Sequence, residues 1–200
     1  MTYGTLHTVE LQCHPVIRAQ SVRGIQVQVG WGPGGVLTLT FSLTGDLVRL
    51  RIPTLQPSRR ADGLWQHTCF EAFIRHEGEP GYYEFNFAPS GAWAAYAFSR
   101  YREGTPLAQD VDPRIAVRRA EQQLDLDALM RLECLPLVPL RARLQLAFSA
   151  VIEDEHGVLS YWALTHPPGR PDFHHPDAFV LELERPEAIR VSDPADGGKR

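Results

Sequence analysis

Trp65 and Glu71 stand six positions apart in the run DGLWQHTCFEAFIRH, and Glu84 and Asn86 follow in YYEFNF. An indole beside carboxylates and an amide is the side-chain set that suits a small polar ring with one apolar face. Such a ring stacks on the indole while its hydroxyls exchange hydrogen bonds with fixed donors and acceptors. Arg49 and Arg51, in DLVRLRI, offer guanidinium donors to the same chemistry. The residue types also have a plainer use, because Glu and Arg side chains form ion pairs across the solvated face of an antiparallel sheet. Spacing alone leaves both uses open.

Other groups suggest other chemistry. His67, His166, His174, His175 and Asp172 carry metal-ligating atoms, but their spacing matches no zinc pattern, and histidines in a Pro-rich loop commonly cap or bond backbone instead. Cys69 lies between His67 and Glu71, as a thiol nucleophile beside a base would. The sequence shows neither a group to orient that base nor an oxyanion hole. Ser90 sits in Pro-Ser-Gly, which is a turn and not a nucleophile elbow. Trp31 and Trp93 read as packing residues.

The elements that must position these groups are strands. Side chains alternate along a strand, so Trp65, His67, Cys69, Glu71, Phe73 and Arg75 point to one side, and Thr68, Phe70, Ala72 and Ile74 to the other. After turn residues 77–81, Tyr83, Phe85 and Phe87 point inward and Tyr82, Glu84 and Asn86 outward. A third run past Pro89 sets Trp93, Ala95 and Ala97 against Ala94, Tyr96 and Phe98. Paired as an antiparallel meander, the three strands bring Glu71, Glu84 and Asn86 together on a face shared with Trp65.

Period two runs through the rest of the chain. Residues 9–14 alternate weakly, as an edge strand would, and residues 25–29 and 36–43 follow, the latter with Leu37, Leu39, Phe41 and Leu43 on one face. Residues 47–52 read as a strand with Val48, Leu50 and Ile52 inward. Residues 53–63 form a polar loop. A hairpin turning near Gln122 joins residues 115–119 to 124–134, and strands at 144–152, 159–164 and 179–183 complete the set. Four prolines and a glycine exclude regular structure from residues 165–179. These features predict an all-β, antiparallel fold of about a dozen strands in one domain over residues 1–191, with a flexible C-terminal tail at 192–200.

The chain has 200 residues, 44% hydrophobic and 22% charged, values ordinary for one globular domain. A net charge of -4 with dispersed arginines, and Lys199 as the single lysine, gives nothing for nucleic acid to select. Cys13, Cys69 and Cys134 are too few and too scattered for a disulfide framework, which fits a reducing compartment. The first residues lack a basic segment followed by an apolar one, and no run approaches the roughly 18 apolar residues of a membrane span. Cytoplasmic placement, no membrane partner and no catalytic role are therefore expected; the oligomeric state is not encoded legibly.

The strings DGLWQHTCFEAFI, YYEFNFAPSGAWAAY and SAVIEDEHGVLSYWALTHPPGRPDFHHPDAF resemble bacterial DOMON-like proteins related to family 9 carbohydrate-binding modules, over roughly residues 25–183. The resemblance implies an immunoglobulin-like β-sandwich with either a sugar or a haem as ligand. In the sugar-binding modules a tryptophan precedes an acidic residue by six positions and both touch the sugar, which carries over to Trp65 and Glu71. A second tryptophan completes that site, and Trp162 is the candidate by position. The segment Pro171 to His175 belongs to the DOMON-like subgroup and would place His174 and His175 at the rim. Haem-binding relatives use methionine and histidine as axial ligands. Here that leaves Met1 and Met130, or a bis-histidine pair of His67 with His174 or His175. Three functions are thus expected in order: a non-catalytic module for a saccharide or other small ligand, a haem protein, and an enzyme on a small sugar derivative with Glu71 as base.

Overall fold

The computed structural model describes residues 6–17, 19–109, 111–133, 135–136 and 143–184. Cys134 and the tail at 192–200 lie outside the described residues. Within them, β2 (Val22–Trp31) and β3 (Val36–Gly45) form a hairpin in which every second residue of β3 is buried, including Leu37, Leu39, Phe41 and Leu43. β9 (Arg114–Arg119) and β10 (Gln123–Arg131) form the expected second hairpin, and β10 pairs with β3 so that Leu126 faces Phe41. Met130 is buried in the same layer.

The meander is also present, as β5 (Cys69–His76), β6 (Tyr82–Phe87) and β7 (Ala92–Arg100), with Glu71 opposite Asn86 and Glu84 opposite Tyr96. The long strand β11 (Arg143–Glu153) pairs with the free side of β5 and sets Ser149 opposite Glu71. Two strands share the far side of β11: β12 (Leu159–Ala163) along its end and β13 (Leu181–Glu184) along its start. β8 (Glu103–Pro106) folds back on β7.

Three expectations need correction. β1 (His7–Cys13) is not an edge: His7–Leu11 pair with β2, and Gln12 and Cys13 pair with β12. It changes partner along its length, which accounts for its weak alternation. The region 47–52 is not a strand. Asp46 Oδ1 accepts the amide of Val48 and closes a 3-10 turn at Leu47–Arg49, which buries Leu47 and Leu50 and leaves Val48 83% exposed. Finally, the sheet is not purely antiparallel, because β4 (Arg59–Arg60), inside the polar loop, pairs parallel to Ala92 and Trp93 of β7.

The strands follow one hydrogen-bonded path, β4-β7-β6-β5-β11-β12-β1-β2-β3-β10-β9. It curls until its two halves face each other over a common core. Phe41 of β3 meets Phe70 of β5 at 5.2 Å, Phe148 of β11 at 6.0 Å and Phe87 of β6 at 6.5 Å between ring centroids. The inward faces of β5, β6 and β7 supply this core as the alternation predicts. Their outward faces are not solvated. Residues 165–179 fold across them without regular structure beyond a 3-10 turn at Pro176–Ala178, and a second apolar cluster forms there from Phe73, Tyr82, Ala147, Ala178 and Phe179, with Phe98 and Phe173 packed against it. This roof turns a sheet surface into an interior.

Candidate ligand-binding cleft

Between the outward face of the meander and the roof lies an open cleft of about 450 Å³. Its floor is set by strand register. Glu71 on β5 and Glu84 on β6 emerge on the same face, both buried, with Asn86 two residues beyond Glu84 on that face. Ser149 on β11, directly opposite Glu71, donates its hydroxyl to Glu71 Oε2 at 2.7 Å. Asn86 Nδ2 donates to Glu84 Oε1 at 2.8 Å, while Asn86 Oδ1 is buried without a partner.

The walls are aromatic. Tyr96 and Phe98 come from β7, Tyr161 from β12, Phe173 from the roof, and Trp65 from the segment leading into β5. Trp65 sits not in a strand, as expected, but in a 3-10 turn at Leu64–Gln66 entered through Gly63 in the left-handed region; β5 begins only at Cys69. The turn lifts the indole out of the alternation, and the ring stays 53% exposed at the cleft.

The roof is latched by polar contacts. Arg102 Nη2 donates to Asp172 Oδ1 at 2.8 Å, and the Tyr101 hydroxyl donates to Asp172 Oδ2 at 2.6 Å. The Tyr82 hydroxyl accepts the Arg102 amide at 3.2 Å and lies 2.9 Å from His174 Nδ1. Giving the phenol hydrogen to Nδ1 satisfies this network and leaves the imidazole proton on Nε2, which lies 3.7 Å from Glu84 Oε2. That separation is too long for a hydrogen bond.

Burial governs the titration of these groups. Desolvation, then the charge of Glu84, pushes the Glu71 carboxyl up to about 8, against the Ser149 hydrogen bond. Desolvation pushes Glu84 up to about 7, against the bond from Asn86 and the charge of Arg102. The two titrate as a pair, and burial keeps protons on it toward neutral pH. Burial and then Arg102 hold His174 down to about 4, so it is neutral near pH 7. Cys69 is raised well above the ordinary thiol range by burial and then by the two glutamates, so it stays a thiol. The floor thus presents two adjacent carboxyls whose hydroxyls can donate and whose carbonyl oxygens can accept.

Of the residues expected at a site, Trp65, Glu71, Glu84 and His174 line this cleft, and Asn86 supports Glu84 from beneath. The others lie elsewhere. Arg49 pairs with Glu155 at 2.9 Å, and Arg51 with Glu153 at 2.7 Å. His67 Nδ1 is 2.7 Å from the other oxygen of Glu153, beside a separate cavity. The plain ion-pair use of the arginines therefore holds, but with partners at the end of β11 and not with the meander carboxyls. Trp162 is packed in the main core with its Nε1 donating to Ser160 Oγ at 3.1 Å. Alternation along β12 brings Tyr161 to the cleft in its place. His175 Nδ1 accepts the Asp177 amide at 3.2 Å and borders a different hollow in the roof. His67, His174 and His175, the candidates for a bis-histidine pair, each border a different cavity, and Met130 is in the core. Sequence reasoning missed Ser149, Tyr161, Phe173 and Arg102. The first two were signalled by their outward phase on alternating strands; nothing local marks the roof residues.

No protein-family profile and no curated protein matches the chain. Solved structures do. A Bacteroides uniformis protein named as a candidate carbohydrate-binding protein aligns with TM-score 0.67 at 13% identity, covering 90% of this chain and 86% of the other. A family 9 carbohydrate-binding module from Caldicellulosiruptor kristjanssonii, solved with cellotriose, aligns with TM-score 0.54 at 11% identity, covering 93% and 87%. The structure of a family 9 module from that organism with glucose aligns with TM-score 0.51 at 12% identity, covering 91% and 88%. At these identities the chain is similar to carbohydrate-binding proteins in fold: an all-β, curled mixed sheet of the kind those modules have.

Proposed function

We propose that the cleft binds a small saccharide, without catalysis and without a resident cofactor. The observation that carries this is the pairing of a half-exposed indole, Trp65, with a buried carboxyl pair on the adjacent floor. A pyranose needs an aromatic platform for its CH face and fixed partners for its hydroxyls. The Glu71 and Glu84 carboxyls supply donors and acceptors together. Tyr161 and Phe173 stand where an opposing wall is needed, the role the resemblance assigned to Trp162. The finer assignment is to the bacterial DOMON-like relatives of family 9 modules, as an immunoglobulin-like β-sandwich in the cytoplasm; the three long sequence strings support it.

Isothermal titration with glucose, cellobiose, cellotriose and a wider panel of mono- and disaccharides tests this. At least one sugar should bind, and Trp65→Ala should weaken it roughly tenfold, the upper end of what an aromatic contact contributes beyond area. Because Trp65 packs little, the variant should keep its melting temperature. Flat titrations of folded protein across the panel would remove the saccharide assignment.

A further inference from the structure

Among the described residues the carboxyls of the cleft floor have no cation beside them. No arginine or lysine of that set lies within ion-pair distance of Glu71 or Glu84. Arg102, the cation that acts on Glu84, is bonded to Asp172 at 2.8 Å and to the Tyr101 hydroxyl at 3.2 Å. His174 is near Glu84 but neutral at physiological pH. Asn86 Oδ1 adds a fully buried acceptor with no donor. Burial without a cation makes either carboxyl costly to ionise, which is why both hold protons toward neutral pH. Around the pair stand Trp65, Tyr96, Tyr161 and Phe173, whose ring faces attract positive charge. Neutral hydroxyls would bind the carboxyls in their protonated form; a bound cation would in addition stabilise the ionised form that burial disfavours.

We infer that the cleft selects a saccharide carrying a protonated amine, an amino sugar whose ammonium sits over Glu71 and Glu84 between the aromatic walls. The inference rests on the saccharide proposal for the same cleft and narrows it. Seating the ammonium favours the ionised carboxyls and draws their protons out to solvent, so binding is linked to proton release. Among the described residues, the other titratable or charged groups around the pair are Cys69 on β5, Tyr82 on β6, Tyr96 on β7, Tyr161 on β12, Arg102 after β7, and Asp172 and His174 in the roof. Of the groups facing the pair, only Glu71 and Glu84 themselves change charge between pH 6 and 8 in a direction that a ligand cation rewards.

The test is calorimetric titration of the full chain with glucosamine, N-acetylglucosamine and glucose at pH 6.5, in phosphate and in MOPS, whose ionisation enthalpies differ. Glucosamine should bind about tenfold or more tightly than either neutral sugar, equivalent to one pKa unit of coupling. Its apparent enthalpy should differ between the buffers, and that of glucose should not. Glu84→Gln should reduce glucosamine to the affinity of glucose. Equal or weaker binding of glucosamine than glucose overturns the amine selectivity and leaves saccharide binding standing. Silence from all three sugars at 10 mM, with the protein folded, overturns the amino-sugar assignment, and flat titrations across the wider panel overturn the saccharide proposal as well. A tenfold preference that survives in folded Glu84→Gln overturns the seat on the carboxyl pair. Should that variant fail to fold, the comparison of sugars on the unaltered chain still decides.

Discussion

Replacing Glu71 by glutamine should stabilise this protein, and only above the acid range. In the folded chain burial, then the charge of Glu84, raises the Glu71 carboxyl to about 8, whereas an ordinary glutamate ionises at 4.5. Between those values the folded state holds a proton that the unfolded state has released. Stability from this group is therefore complete below the unfolded value and falls as pH rises through the folded one. Each pKa unit corresponds to about 1.4 kcal/mol, so at pH 7.5 the carboxyl has forfeited about 4 kcal/mol that a non-titrating amide keeps. A glutamine carbonyl can still accept the Ser149 hydroxyl, so little is lost in exchange. Relaxation around the site and residual structure in the unfolded chain lower the expected gain to about 2 kcal/mol. Urea unfolding of both proteins at pH 5 and pH 7.5 measures it. His174 has the opposite dependence: its pKa is depressed from 6.5 to about 4, so it adds stability as pH rises over that interval, but it does so in both proteins and cancels in the difference. A stability difference that is the same at both pH values, or a variant less stable at pH 7.5, would refute the assignment of Glu71 as a carboxyl kept protonated by burial.

Phe41→Ala should cost about 3–5 kcal/mol in urea unfolding, because the ring joins both halves of the sheet and a cavity there has aromatic neighbours on three strands; a loss under about 1 kcal/mol would mean the two halves do not pack as described. His67→Ala should leave saccharide affinity within about twofold of the unaltered chain, since His67 borders a different cavity from Trp65. A tenfold loss measured by titration would move the site to the cavity around Glu153.

Period two told much of this in advance because it reports which face a side chain takes. It placed Phe70, Ala72, Ile74, Tyr83, Phe85 and Phe87 in the core and brought Glu71, Glu84 and Asn86 together, as the register shows. It failed where a local contact overrode the pattern. Asp46 capping Val48 turned an alternating run into a 3-10 turn, and Gly63 did the same before Trp65. Trp162 was misplaced by one residue of phase, since its neighbour Tyr161 holds the outward position on β12. Arg49 and Arg51 were drawn away by Glu155 and Glu153, partners more than a hundred positions off in sequence, which no local spacing reveals.

The largest gap concerned cover rather than phase. Alternation says that Glu84 points out of the sheet; it does not say that His174, Phe173 and Phe179 will be there to meet it. Residues 165–179 were legible as irregular, with His174 and His175 expected at a rim by resemblance, yet nothing in the pattern said that the segment covers the floor and decides its electrostatics. A solvated Glu71 and Glu84 would ionise at ordinary values and pair with passing cations, a use of carboxyls that costs nothing. Roofed, the same two side chains keep protons near neutral pH and lower the stability of the fold as pH rises. The aspartate that latches the roof, Asp172, is bonded to Tyr101 and Arg102 at the mouth of the cleft, so closure and burial of the pair come from one segment. Two carboxyls held without a cation cost stability that apolar side chains would not, and the proposed ligand is what would offset that cost.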